Sequence, residues 1–371
     1  MSKTMAELAQ MLSASNEQLF DRYINVRLTK DRPLLIDLGI ADKPTAETGF
    51  QIVTPRTGCK PNITVSGKII PAETVCAITL TIYNILDNVD TMAYNWAEVE
   101  VGYMNSRSHI TFIGQIMNCY MAKPNPNGEL VINITTADIA NLYENGDLEV
   151  EFTEDIVSTG KLITTCLDAV VKAHPDLNDS IDKTELLTKI PEYWKFKNFA
   201  VGKATRRFRS AFECISWLNS LFATLPYGTG YAASSGGASI SDAEEKSRGK
   251  LTPLRLGFDP QSNLTITTTY SEVNPATVKA ITAIGSAVLT SSASATVTAP
   301  FNPGLTPGEV IYLNSKFFKT RINTEAVRPY YETKGNLWYI RTMEFVFSTY
   351  NTNMMTLGLN NLNNIIVAQE G

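Results

Sequence analysis

Alternating apolar and polar residues mark both ends of this chain, and a three-to-four-residue apolar spacing marks its middle. Asn62 to Ile70 alternates cleanly. Ala77 to Asn84 sets Ile78, Leu80 and Ile82 against Thr79, Thr81 and Tyr83. Successive strand side chains point to opposite faces, so such runs place one face on a core and the other in solvent or on a partner. The same reading predicts strands over Leu19 to Leu28, Val99 to Tyr103, Ile110 to Ile116 and Leu130 to Thr135, the last after an Asn125-Pro126-Asn127-Gly128 turn. Strands of this kind with turn-rich gaps predict a closed or nearly closed barrel over residues 19–155. Asp138 to Glu144 predicts a short helical turn.

Beyond residue 156 the period changes. Leu162, Cys166, Ala169 and Val170 share one face of a helix predicted over Lys161 to Ala173, and Thr184 to Ile190 predicts a second. The longest helix is predicted over Thr205 to Thr224, where Phe208, Phe212, Ile215, Leu218 and Phe222 recur before Pro226 and Gly228 end it. Tyr231 to Lys250 is small, polar and rich in Gly and Ser, the composition of a loop. Residues 156–250 therefore read as a helical insert with a flexible loop.

From Leu251 the β-pattern returns. Leu264 and Ile266 alternate with threonines, and Gly285 to Pro300 predicts a thin hairpin or an interface strand. A Pro/Gly turn at Pro303 to Gly308 then feeds Val310 to Leu313. Gly335-Asn336 feeds Leu337 to Phe347, and the polar turn Tyr350 to Asn353 feeds Met354 to Leu359. Residues 251–371 thus read as a second β-domain. Residues 1–18, with Met5, Leu8, Met11 and Leu12 in a narrow stripe, read as an arm that packs on a neighbour. No internal repeat of fixed period is visible. The predicted class is mainly β with a small helical insert (α+β).

Composition narrows the function. Charged residues make up 19% of the 371, below the usual ~25%, which leaves more neutral surface and suits a subunit buried among partners. A net charge of −5 and a pI near 5.3 disfavour gripping nucleic acid by phosphate neutralisation. The one basic cluster, Arg206-Arg207-Phe208-Arg209, is too small to change that. No apolar run reaches the ~18 residues that would span a bilayer, and Met1 to Phe20 lacks the apolar region of a secretory leader. Synthesis in a cytoplasm, without membrane insertion, is expected. The 5 cysteines are scattered with no Cys-x-x-Cys, the pattern of reduced thiols.

Catalytic chemistry is not indicated. Neither His109 nor His174 is placed beside a nucleophile with an orienting partner, and no cluster has zinc-ligand spacing. Glu149 and Glu151 share a strand face; a solvated strand edge is favoured there over a glycosidase pair or calcium ligands. Gly228-Thr229-Gly230 lacks the Lys-Ser/Thr helix of a phosphate loop. No enzyme activity, cofactor or metal is expected. Candidate contacts are Arg328, Tyr330, Tyr331 and Trp338, since Tyr, Trp and Arg are enriched at interface hot spots; the tyrosines fit a barrel wall equally well.

Several of these motifs, in this order, resemble the baseplate hub proteins of long-tailed bacteriophages and related contractile injection machines. Val99-Glu100-Val101-Gly102-Tyr103 ahead of Ile110-Thr111-Phe112-Ile113-Gly114-Gln115-Ile116 resembles their first barrel. The paired short helices resemble their insert. Asn302-Pro303, Pro307-Gly308-Glu309-Val310 and Gly335-Asn336-Leu337-Trp338-Tyr339-Ile340 resemble their closing barrel. The resemblance covers most of the chain. It implies two tail-tube-like β-barrel domains per chain and a homotrimer in the virion tail baseplate. The ring would surround the tail lumen and join the sixfold tail tube to a threefold spike. Partners implied are the tail tube protein and the spike protein, with the tape measure and baseplate wedge proteins as further contacts; DNA would pass through the lumen without specific binding. The chain ends soon after its last predicted strand, so a spike or hydrolase would be a separate chain. Two alternatives remain open at this point: another tail ring or tube-terminating protein of hexameric order, and a tail-fibre carbohydrate-binding β-module. A peptidoglycan hydrolase would need a positioned carboxylate pair that the sequence does not supply.

Overall fold

The structure, a computed structural model, describes residues 22–33, 50–54, 62–70, 76–83, 93–103, 108–123, 128–136, 138–195, 197–223, 254–268, 279–282, 288–291, 294–314, 337–350 and 353–361. The predicted arm (1–18) and the Gly/Ser-rich loop (231–250) lie outside them. The fold is mainly β, and the chain divides into two compact units. One comprises residues 1–70, 76–136 and 274–364; the other comprises 71–75, 137–273 and 365–371.

The first unit is built on one 13-stranded sheet. Its amino-terminal strands are β1 (Arg22–Thr29), β2 (Phe50–Thr54), β3 (Asn62–Ile69), β4 (Ala77–Tyr83), β5 (Trp96–Tyr103), β6 (His109–Lys123) and β7 (Glu129–Thr135). The second unit holds β8 (Leu148–Glu151), β9 (Ile156–Ser158), β10 (Asn198–Ala200), β11 (Thr205–Phe208), β12 (Leu254–Phe258) and β13 (Leu264–Thr268). The chain then returns to the first unit with β14 (Lys279–Thr282), β15 (Val288–Ser291), β16 (Ser294–Pro300), β17 (Val310–Asn314), β18 (Leu337–Ser348) and β19 (Met354–Asn361). The main path through the large sheet is β15-β16-β19-β18-β3-β4-β7-β6-β5-β1-β2, with β17 on β18 and β14 on β17.

Alternation explains the core of this sheet. Ile63 and Val65, Ile78, Leu80 and Ile82, Ile132 and Ile134, Val297, Leu357 and Leu359 all point inward and are buried in one cluster. Aromatic rings from both chain segments meet there. Phe345 of β18 stacks on Phe112 of β6 with centroids 5.4 Å apart, and Phe347 meets Tyr103 edge-on at 5.4 Å. The Pro307-Gly308 turn sets the start of β17. Gly308 takes φ +101, a region open to glycine, and its N–H donates to Ile340 O at 2.9 Å.

The two runs of strands repeat one topology. In chain order, β1, β3, β4, β5, β6 and β7 correspond to β14, β15, β16, β17, β18 and β19. Their neighbour orders, β1-β5-β6-β7-β4-β3 and β14-β17-β18-β19-β16-β15, are then the same. One pairing departs: β14 runs parallel to β17, whereas β1 runs antiparallel to β5. The halves join where β3 pairs antiparallel with β18, from Ile69↔Met343 to Thr64↔Ser348.

The second unit is a small helical core flanked by two-stranded sheets. Its helices are α1 (Ile139–Tyr143), α2 (Thr159–Ala173), α3 (Lys183–Thr188), α4 (Glu192–Lys195) and α5 (Ala211–Ala223), with a 3-10 turn at Pro175–Ser180. Ser158 caps α2 by accepting from Lys161 N, and Asp182 caps α3 by accepting from Glu185 N at 3.0 Å. Leu162, Cys166, Leu167 and Val170 pack with Cys214, Leu218, Phe222 and Trp194. The hydrogen bond with Cys214, together with burial, pushes the Cys166 thiol far above its ordinary pKa.

Two expectations change here. The helix expected over Thr205 to Thr224 begins at Ala211, because Thr205–Phe208 pair as β11 with β8. Ser210 Oγ accepts from Glu213 N at 3.2 Å, and the Glu213 carboxylate accepts from Arg209 N at 2.6 Å, a reciprocal cap that fixes the start. Divisions expected at 155 and 251 fall at 137 and 273. The β12–β13 hairpin belongs with the helices, since Leu254, Leu256 and Phe258 are buried among them. The Asn219 side chain holds it there, accepting from Leu256 N (2.7 Å) and donating to Leu256 O (2.9 Å).

Candidate functional site

The face of the large sheet opposite the core is its most distinctive surface. Across β16, β19, β3, β4 and β7 the outward positions are mostly small, neutral and polar, while β18 between them presents Glu344 and Val346. Ser294, Thr296 and Thr298 lie on β16, Thr356, Gly358 and Asn360 on β19, Thr64 and Ser66 on β3, Thr79 and Thr81 on β4, and Asn133 and Thr135 on β7. Period-two sequence dictates this, because the partners of these residues in the alternation fill the core.

Side-chain hydrogen bonds run across the strands. Thr79 Oγ1 donates to Asn133 Oδ1 at 2.8 Å, and Asn133 Nδ2 donates to Asn118 Oδ1 on β6 at 2.5 Å. At the β3–β18 joint Lys68 Nζ lies 2.8 Å from Glu344 Oε1, both side chains half exposed. A shallow depression of about 450 Å³ lies over this joint, lined by Ser66, Gly67, Lys68, Thr79, Glu344 and Thr356 among others. Gly67 of the same strand faces the core instead: a Cβ there would meet Ile78 Cγ2 at 2.5 Å and Phe345 Cε1 at 3.1 Å. Hydroxyls and amides of this kind exchange hydrogen bonds with water or a passing chain while neutralising few phosphates.

Charge gathers instead on the outward side of β1, β5 and the start of β6. The Arg27 guanidinium pairs with Glu98, Nε donating at 2.7 Å. Glu100 receives Tyr23 Oη at 3.0 Å and lies 2.8 Å from His109 Nδ1; His109 Nε2 lies 3.0 Å from Tyr103 O. Both ring nitrogens face acceptors, so the arrangement favours the imidazolium. The hydrogen bond to Glu100 raises the His109 pKa against the opposing effect of burial. For Glu100 burial is the largest influence and opposes ionisation, but the bonds from His109 and Tyr23 outweigh it and hold the carboxyl below its usual range.

His109 contributes stability that is complete below its unfolded pKa of 6.5 and is lost as pH rises through the raised folded value. Glu100 contributes stability that is present above 4.5 and is lost as pH falls through its lowered value. Their joint contribution is therefore greatest between these limits. His109→Gln is expected to flatten the decline in stability above pH 6.5 and, by removing a bond that helps hold Glu100 low, to weaken the acid limb as well. Urea midpoints measured across pH check this; an unchanged slope above pH 6.5 would reject the assignment.

Arg328, Tyr330 and Tyr331 lie outside the described residues. Trp338 is fully buried on β18 opposite Ile311, inside the chain's own core, so its ring presents no surface to a neighbour. Glu149 and Glu151 are exposed on β8, and Glu149 pairs with Arg207 at 2.7 Å. His174 caps the end of α2, its Nδ1 lying 3.3 Å from Glu144 Oε2. Among the described residues, no three His, Cys, Asp or Glu side chains gather as a metal site would require. Alternation predicts a strand that ends at Ile116, yet β6 continues to Lys123. A bulge between Ile116 and Asn118 breaks the alternation there and hides the extension.

No protein-family model matches this chain, and no curated protein matches it. Solved structures similar to it include tail proteins and a type VI secretion system component. One is a tail protein from Neisseria meningitidis, with 10% identity, 92% of this chain and 97% of that chain covered, and a TM-score of 0.48. Another is a type VI secretion system component of E. coli, described as structurally similar to T4 bacteriophage tail proteins gp27 and gp5, with 7% identity, 84% and 78% covered, and a TM-score of 0.47. A third is the 43 kDa tail protein of prophage MuSo2 from Shewanella oneidensis, with 10% identity, 94% and 100% covered, and a TM-score of 0.46.

Proposed function

We propose that this chain is a structural hub subunit of a phage-type tail, three copies forming a ring around the tail lumen. The observation that carries the reading is the duplicated strand order within one sheet. Each chain offers two equivalent building units, so three chains offer six, the number needed to meet a sixfold tube on one side and a threefold spike on the other. The neutral hydroxyl face suits a wall past which DNA or a tape measure protein slides without sticking. The role is assembly rather than catalysis, with the tube and spike proteins as neighbours in the baseplate.

Native mass measurement of the purified 40.8 kDa chain, alone and mixed with tube and spike proteins, tests this. A species of three copies is expected. Six copies would indicate a tube-terminating ring protein instead, and a chain that stays monomeric in every mixture overturns the reading.

A further inference from the structure

The two halves of the large sheet match residue for residue around β6 and β18. On β18 a bulge lies between Ile340 and Thr342; on β6 one lies between Ile116 and Asn118. Aligning these bulges makes Cys119 equivalent to Met343, Tyr120 to Glu344 and Met121 to Phe345. The other neighbours agree: Gln115 pairs with Trp96 of β5 as Tyr339 pairs with Val310 of β17. The far side agrees apart from a bulge in β15 between Leu289 and Ser291: Lys68 pairs with Ala77 as Ser291 pairs with Ser294, and Gly67 pairs with Ile78 as Leu289 pairs with Ala295.

One difference breaks the match. β3 lies along the carboxy-terminal half of β18, on the side that β17 flanks, and there Phe345 is only 3% exposed. Along the carboxy-terminal half of β6, on the side that β5 flanks, no strand pairs among the described residues. Its counterpart side chain Met121 is 36% exposed, beside Met117 at 48% and Tyr120 at 51%. The strand equivalent to β3 is β15, and among the described residues β15 pairs only with β16. The chain thus carries one joint made and the two halves of a second joint unmade, on different strands.

We infer that a second copy of this chain fills the gap, its β15 running antiparallel along Met117–Lys123 with Ser291 opposite Tyr120 and Leu289 opposite Met121. This deepens the ring reading and rests on it. Donor and acceptor edges differ, so the contact is head to tail, and such contacts close into rings when the rotation per copy allows. Strand addition satisfies the backbone groups of both edges and covers the apolar side chains beside them.

The test is a disulfide between copies. Tyr120→Cys and Ser291→Cys are combined in a Cys119→Ala full-length chain and exposed to oxidised glutathione. Directly opposed antiparallel residues lie within disulfide reach. The control is Lys68→Cys with Glu344→Cys, the equivalent pair inside one chain, which closes without changing the mass. A reductant-sensitive ladder of covalent oligomers is expected from the first pair and from neither single variant. If the control closes and the native mass is three copies, but no ladder forms, the edge pairing is wrong and the ring reading stands. If the native mass is that of a monomer in every mixture, both fall.

Discussion

Replacing Phe345 with alanine is expected to destabilise the first unit by about 3–5 kcal/mol, the usual cost of deleting a buried aromatic ring, and to loosen both halves together. The ring stacks on Phe112 of the amino-terminal strands, lies 5.6 Å from Phe301 of the carboxy-terminal segment, and covers the space that Gly67 leaves open. Its backbone pairs with Gly67 on one side and Met355 on the other. A cavity there has strands of both runs on its walls. Hydrogen exchange checks the outcome: amides of β4 and β7 lose protection as far as those of β16 and β19. Loss confined to residues 288–361 would mean that the two runs fold as separate domains.

Trp194→Ala is expected to cost the second unit a similar amount, about 3–5 kcal/mol. Trp194 is 1% exposed, meets Phe222 edge-on at 5.5 Å, and carries Lys197 Nζ 4.4 Å from its ring centroid. Burial already lowers the Lys197 pKa, so losing the ring removes the favourable partner of a half-buried cation. Exchange should accelerate across α2 and α5 while the 13-stranded sheet keeps its protection. Equal acceleration in β4 and β7 would show instead that the units share one unfolding transition.

Strands were legible where alternation was unbroken. β3, β4 and β7 follow the sequence reading within a residue or so, because Ile63, Val65, Leu80 and Ile132 leave no choice of inward face. Alternation tells a strand from a helix, but not which sheet receives it. β12 and β13 therefore read as part of the second β-domain although Leu254 and Phe258 serve the helical core. β11 was hidden inside a helical period because Phe208 is in phase with Phe212 and Ile215. The Ser210–Glu213 spacing, a serine three residues before a glutamate, was the available signal against that reading.

The resemblance implied two like domains, but the strand-by-strand duplication is not legible in the residues themselves. Thr79 and Thr296 match, as do Leu80 and Val297, but Tyr120 matches Glu344 and Cys119 matches Met343. What the halves share is inward and outward direction, strand order and the place of one bulge, and none of these requires the same residues. The contact candidates fared differently. Trp338 is of a type enriched at interfaces, but a large ring also fills a core; the bulge after Ile116 hides the strand that carries the exposed Met117, Tyr120 and Met121.

Carrying both repeats on one polypeptide also changes the kinetics of closing a ring. In the ring proposed above, half of the joints would be those between β3 and β18, which form within a chain as it folds. Their partners meet at an effective concentration set by the covalent connection between the repeats, however dilute the protein is. Only the joints between copies depend on encounter. Assembly of a given number of repeats is then of half the reaction order in protein that unlinked repeats would require, and its threshold concentration falls accordingly.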